Sequence, residues 1–314
     1  MRYLLLSFCL FACGLNAHIL PWSKTVPTEL KQQFLHDGQI AMETPCDYKA
    51  TLHSLFAPVV TNCKSAREAV LAVASNMTKV TGVYYSQERR SAIMNAQEAL
   101  SEKKVSCTGQ SLLLVSALRS VGIPARLVSV STWNHVPGNH TWCEAWFDGA
   151  WHMIEFNERD FNTPWVMESV AMLDPRMPEQ RIYAINGSGK KKLFPFYQIN
   201  GATLSVEDVT SRYMKLSQSY IGSPHIQRLM VDVLPRQNKR RYVELLSIDG
   251  KVLERAELPQ CDDDMRQYAV LELPRKGEFK LKLPGLNQPI DVHATAPPAQ
   301  VLRYCEESKA LFLH

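Results

Sequence analysis

Lys104-Val105-Ser106-Cys107-Thr108-Gly109-Gln110 runs directly into the apolar series Leu112, Leu113, Leu114, Val115, Ala117 and Leu118. Together they read as a buried helix with Cys107 in its first turn. A second block, Asn139-His140-Thr141-Trp142-Cys143-Glu144-Ala145-Trp146-Phe147-Asp148-Gly149-Ala150-Trp151-His152-Met153-Ile154-Glu155, alternates aromatic and apolar residues on either side of Asp148-Gly149. Alternation about an Asp-Gly pair is a β-hairpin signal. With a two-residue turn, Trp146 faces Trp151 and Trp142 faces Glu155, so His140, Glu155 and Asn157 project from one face, Glu155 diagonal to His140. A cysteine at a helix N-terminus, followed in sequence by a histidine and an acid on neighbouring strands, is what thiol nucleophilic catalysis requires.

Unpaired backbone N–H groups and the dipole at a helix N-terminus favour negative charge, which suits Cys107 to be a nucleophile. A nearby imidazole holds the thiolate as an ion pair and later returns a proton to the leaving amine, while a third group fixes the ring's tautomer. His140 and Glu155 are the candidates. Asn157 competes for the third role, because an amide carbonyl also orients a histidine, and a one-residue bulge at the turn would change which residues share His140's face. The Cys107 backbone N–H is the expected oxyanion donor. Taken singly, Cys107 reads as a small buried hydrophobe, His140 as a solvated strand-end residue and Glu155 as a surface carboxylate. Their joint occurrence in this order outweighs those separate readings.

These blocks resemble the transglutaminase-like superfamily, whose core has a helix starting at a cysteine, a Gly-Ile-Pro-Ala-Arg turn into a strand, and a His-x-Trp-x-Glu hairpin. Here the turn is Gly122-Ile123-Pro124-Ala125-Arg126, and Asn95-Ala96-Gln97-Glu98-Ala99-Leu100 fits the family's short lead-in helix. The resemblance covers residues 65 to 165. It implies a nucleophile at Cys107, a general base at His140 and an orienting acid at Glu155. The family usually carries aspartate in the third place, so Glu155 is a departure whose reach is one methylene longer. The implied fold class is α+β, a papain/transglutaminase-like core in which the cysteine-bearing helix packs on an antiparallel sheet.

Around that core, residues 1–17 read as a signal peptide and 18–64 as a helical N-terminal region. Residues 27 to 43 and Ala66 to Ala74 have the periodicity of helices. Residues 166–224 form a helical or irregular connection, in which Ser205 to Met214 reads as a helix with Glu207 and Asp208 in its first turn. From 225 to 295, short alternating segments (229–234, 242–248, 252–258, 268–273 and 279–283) separated by Asp249-Gly250, Pro274, Gly277 and Pro284-Gly285 predict a small β-sandwich. Residues 296–314 remain as a C-terminal tail.

Of the 314 residues, 46% are hydrophobic and 21% charged, so the chain is globular rather than disordered. The net charge of +4 is spread along it, and Lys190-Lys191-Lys192 and Lys239-Arg240-Arg241 read as solvated surface, so no nucleic-acid partner is expected. Met1-Arg2 followed by the apolar Tyr3 to Ala12 has the form of a secretory signal. Cleavage after Ala17 is favoured over lipidation at Cys13 in the lipoprotein-like Leu10-Phe11-Ala12-Cys13, the one route to a membrane anchor. The expected location is periplasmic, cell-surface or extracellular. Removal of the signal leaves Cys46, Cys63, Cys107, Cys143, Cys261 and Cys305, an even set in an oxidising compartment. Cys46 with Cys63 and Cys261 with Cys305 are the pairings that spare the candidate nucleophile, leaving Cys143 as a buried strand thiol. No metal-site spacing occurs, Asp262-Asp263-Asp264 lacks the Gly and Glu of an EF-hand loop, and no nucleotide, flavin or metal cofactor is expected.

The function expected from the sequence is an exported cysteine enzyme that attacks amide carbonyls of proteins or peptides through a thioester acyl-enzyme. Because bacterial relatives with this core include proteases and peptidases, hydrolysis ranks above cross-linking. Trp133, His135, Trp142 and Trp146 are candidate walls of the cleft. The alternative from another class is a non-catalytic surface protein that uses the same fold for binding. The sequon Asn139-His140-Thr141 bears on the choice, since a glycan on Asn139 would crowd the proposed base.

Overall fold

The computed structural model describes residues 20–35, 39–133, 138–192, 204–221, 226–260, 268–274, 276–294 and 299–313. Expectations for the signal segment, Cys13, His135, the acidic run at 262–264 and Cys261 lie outside the described residues.

The N-terminal half is helical: α1 (Thr28–Phe34), α2 (Lys49–Val60), α3 (Ala66–Ser75), α4 (Met77–Thr81), α5 (Ala96–Glu102) and α6 (Cys107–Ser120), with a two-stranded parallel pair of β1 (Tyr84–Tyr85) and β2 (Lys104–Val105). Local chemistry sets the starts of three of these helices. Ser65 accepts from the Glu68 amide, Asn95 and Glu98 form a capping box, and Ser106 accepts from the Gly109 amide. Every residue of α6 after Cys107 is buried, as an apolar run on all faces requires. It packs against α2, α3 and α5 on one side and against the sheet on the other.

That sheet has five strands in the order β5 (Ala150–Ile154), β4 (His140–Phe147), β3 (Ala125–Val130), β6 (Ile182–Lys192) and β7 (Leu204–Asp208), all antiparallel. Asp148 and Gly149 both have positive φ (49° and 79°), the backbone of the type I′ turn expected between β4 and β5. The register places Trp146 opposite Trp151 and Cys143 opposite Ile154. Behind the sheet lie α7 (Pro164–Ala171) and α8 (Thr210–Ile221), packed together.

The C-terminal part is a β-sandwich of two four-stranded sheets. One has the order β11 (Ala269–Pro274), β8 (Ile226–Leu234), β14 (Ala299–Cys305), β15 (Ala310–Leu313), the other β10 (Val252–Glu257), β9 (Tyr242–Leu246), β12 (Gly277–Lys282), β13 (Ile290–Ala294). Their inner faces share one apolar cluster that includes Val231, Val243, Leu271, Leu281 and Leu302. The molecule is thus α+β, a cysteine-bearing helix on an antiparallel sheet, with a helical preface and a C-terminal sandwich.

Several expectations are corrected. The helix expected over 27 to 43 is confined to α1, and residues 40–43 are bends, because the Glu43 carboxylate accepts the Ile40 and Ala41 amides that a helix would direct to its own carbonyls. Residues 205–208 are strand rather than helix. Glu207 binds Arg126 at 2.7 Å and Asp208 Oδ1 accepts from the Thr210 amide at 3.0 Å, so the acids precede the helix instead of filling its first turn. The connection therefore supplies two strands of the core sheet. The expected tail supplies β14 and β15, with β14 parallel to β8 in the interior of its sheet. Arg241, expected at the surface, is buried and donates to Glu306 at 2.9 Å and to the Pro235 carbonyl at 3.0 Å.

Cys46 and Cys63 are free thiols. They flank the 12-residue α2, a helix about 18 Å long. Cys305 is also a free thiol.

Candidate active site

Cys107 is the first residue of α6, half-buried, with Ser106 as the N-cap. The first turn of α6 is pinned from two directions. On one side Ser106 Oγ donates to the Ala92 carbonyl, and Gly109 lets the helix approach β2, where a Cβ would come within 2.8 Å of Val105 Cβ. On the other, Thr108 Oγ1 donates to Thr141 Oγ1 at 3.1 Å and Ser111 Oγ to the Thr141 carbonyl at 2.9 Å. Ser129 Oγ on β3 donates to the His140 carbonyl at 2.9 Å. These bonds fix the start of β4 against the start of α6, which brings His140 to Cys107.

The His140 ring is buried, and Nε2 lies 2.6 Å from Glu155 Oε1. Burial opposes its protonation, but the charge of Glu155, hydrogen bonds to Cys107 and Glu155, and the charge of Cys107 outweigh that cost and raise its pKa from 6.5 to about 9. Glu155 thus holds the His140 ring by a hydrogen bond, and Cys107 acts on the same ring electrostatically.

Asn157 is not part of it. Its φ of 67° turns the chain away from the ladder, Oδ1 accepts from the Thr78 amide at 3.0 Å, and Nδ2 donates to Thr78 Oγ1 at 2.7 Å. This amide ties the end of the hairpin to α4. Cys143, one residue off the site face, is buried and donates to the Ser111 carbonyl at 3.2 Å; burial lifts its pKa far above the ordinary thiol value.

Of the expected walls, Trp142 lies against His140, its ring 5.7 Å away and tilted by 23°, and Trp133 stacks on Trp142 at 6.4 Å. Trp146 is six residues along β4 from His140, about 20 Å on a strand, and pairs with Trp151 instead. Trp165 on α7 was not anticipated: its ring meets His140 edge to face at 4.6 Å. Only its aromatic character marks it in the sequence, ten residues beyond Glu155.

Among the described residues, no cluster of His, Cys, Asp and Glu has the arrangement of a metal site, and no helix is long and apolar enough to cross a membrane.

Residues 53–156 match a family model described as the transglutaminase-like superfamily. No match is found among curated proteins. Among solved structures, a cysteine-protease candidate from Cytophaga hutchinsonii is 14% identical with a TM-score of 0.35, the alignment covering 58% of this chain and 64% of that one. Red sea bream transglutaminase is 12% identical with a TM-score of 0.35, covering 90% and 66% of the two chains. The chain spans less than two thirds of the length of either protein. The matched stretch holds the cysteine helix, the Gly122–Arg126 turn and the His140 hairpin, and the domain at residues 53–156 belongs to the transglutaminase-like superfamily.

Proposed function

We propose that the protein is a cysteine enzyme that hydrolyses amide bonds of proteins or peptides, with Cys107 as nucleophile, His140 as general acid and base, and Glu155 as the orienting acid. The observation that carries this reading is the buried His140–Glu155 pair at 2.6 Å, its ring coupled to the half-buried Cys107 at the start of α6.

Cys107 Sγ attacks the carbonyl carbon as a thiolate, and the carbonyl electrons move to oxygen. In this mechanism the Cys107 backbone N–H at the start of α6 stabilises that oxyanion, supported by the helix dipole. Collapse of the tetrahedral species expels the amine, which takes its proton from the His140 imidazolium. A thioester remains on Cys107. His140, now neutral, draws a proton from water as it attacks the thioester, and the thiolate–imidazolium pair returns. Glu155 keeps the ring in one tautomer and stabilises its charged form throughout. An amine in place of water would convert the same intermediate into a cross-link.

In this proposal the enzyme works outside the cytoplasm, on the strength of the apolar segment after Arg2. The test uses a protein substrate such as dimethylated casein, with and without a fluorescent primary amine. Hydrolysis releases new termini or ammonia without amine incorporation, and hydroxylamine traps the thioester on Cys107. Amine incorporation outpacing hydrolysis would assign a transferase, and no acyl-enzyme with any amide or thioester substrate would sink the catalytic reading.

A further inference from the structure

The His-x-Trp-x-Glu stretch of β4 contributes only its histidine to the proposed chemistry, leaving Trp142 and Glu144 to be explained. Both are fully buried on the same face of β4 as His140. Trp142 Nε1 donates to Tyr213 Oη at 2.8 Å, and Tyr213 Oη donates to Glu144 Oε1 at 2.8 Å. Burial, followed by the charge of Glu144, pushes the Tyr213 phenol well above its ordinary pKa, so it remains a donor. The Glu144 carboxylate is itself held by Arg126 Nε at 2.9 Å and by Arg212, while Arg126 reaches Asn186 and Glu207 on the neighbouring strands.

Tyr213 and Arg212 belong to α8, beyond the matched stretch. α8 docks on α7 through Ser217 Oγ, which donates to the Met167 carbonyl at 2.6 Å, and α7 carries Trp165, the second aromatic against His140. The apolar cluster around Trp142 and Tyr213 also takes in Met230 and Val301 of the sandwich.

Building on the catalytic reading above, we propose that Tyr213 is a positioning residue for the histidine: by holding the indole N–H of Trp142 it sets the ring plane on which His140 rests. The phenol bonds both the floor of the imidazole and the buried carboxylate, so Trp142 cannot turn without breaking a buried hydrogen bond. Among the described residues, Glu155 and Cys107 are the titratable groups that act on His140 directly, while Glu144, Arg212 and Tyr213 stand behind Trp142. The segment outside the superfamily core thereby becomes part of the catalytic apparatus rather than an appendage to it.

The experiment measures the rate of Cys107 alkylation by iodoacetamide from pH 5 to 10 on the full chain, together with the thermal midpoint. It compares wild type, Tyr213→Phe, Ser217→Ala and His140→Ala. Tyr213→Phe keeps the ring and removes both hydrogen bonds; it is expected to slow alkylation at pH 7 roughly three- to tenfold, the scale of one net hydrogen bond, and to displace the pH profile. Ser217→Ala loosens α8 without touching Trp142 and is expected to lower the thermal midpoint while keeping the wild-type profile. A wild-type profile in Tyr213→Phe, or an equal displacement in Ser217→Ala, overturns the positioning role and leaves the catalytic reading intact. A His140→Ala profile identical to wild type overturns the catalytic reading and the positioning role with it.

Discussion

His140 Nε2 and Glu155 Oε1 meet at 2.6 Å with both side chains almost wholly out of water, so the carboxylate is compensated chiefly by the ring it holds. The histidine's pKa is raised from 6.5 to about 9 in the fold. A raised pKa means that the folded state binds the proton more tightly, so the stabilisation is fully present below pH 6.5 and is lost as pH rises through about 9. At about 1.4 kcal/mol per pKa unit this amounts to roughly 3 kcal/mol. Urea denaturation at pH 6 and pH 10 should show wild type losing about that much more than Glu155→Gln, in which the charge that holds the imidazolium is gone. Equal losses in the two proteins would contradict the pairing.

Gly109 allows the first turn of α6 to touch β2, and a methyl group there would lie 2.8 Å from Val105 Cβ. Alanine ordinarily stabilises a helix by about 1 kcal/mol relative to glycine. Here overpacking at about 1–3 kcal/mol works against that gain, so Gly109→Ala should be neutral to destabilising by about 2 kcal/mol. Because the displaced turn carries Cys107, alkylation should slow as well. A stabilised Gly109→Ala with unchanged alkylation would show that the close approach is not required.

Arg126 and Glu144 form a buried ion pair on adjacent strands, directly opposite in register. Removing the cation leaves Glu144 with Arg212, which is partly exposed, and with Tyr213. Arg126→Ala should cost about 3–5 kcal/mol, the usual result of stranding a buried charge. Arg126→Ala combined with Glu144→Gln should recover part of it. Chemical denaturation of the single and double variants checks both statements.

Cys46 and Cys63 are free at opposite ends of α2. Alkylation of the folded protein without reductant, followed by peptide mapping, should label both. A peptide linking the two cysteines would contradict their assignment as free thiols.

What the sequence disclosed was whatever rests on neighbours in the chain. The cap at Ser106, the apolar run of α6 and the Asp148-Gly149 turn are local, and the hairpin register follows from the turn. Glu155 and Asn157 were indistinguishable by parity along the strand; what separates them is the contact of Asn157 with Thr78, 79 residues away. Likewise Glu207 and Asp208 look like first-turn acids until Arg126 claims one of them across the sheet. The strands β6, β7, β14 and β15 gave weak signals because their membership is decided by the strands beside them, as β14 shows by pairing with β8. Tyr213 carried no motif, and only the fold brings its hydroxyl to Trp142.

Whether Cys107 and His140 act as one unit is read from the rate of Cys107 alkylation by iodoacetamide at pH 7 in wild type and His140→Ala, with Cys107→Ala defining the background from the other thiols. Wild type is expected to react fast, and the rate to fall by at least about tenfold without His140, the scale of about 1.4 kcal/mol in the barrier. Equal rates in the two proteins, at the level of an ordinary surface thiol, would contradict that coupling.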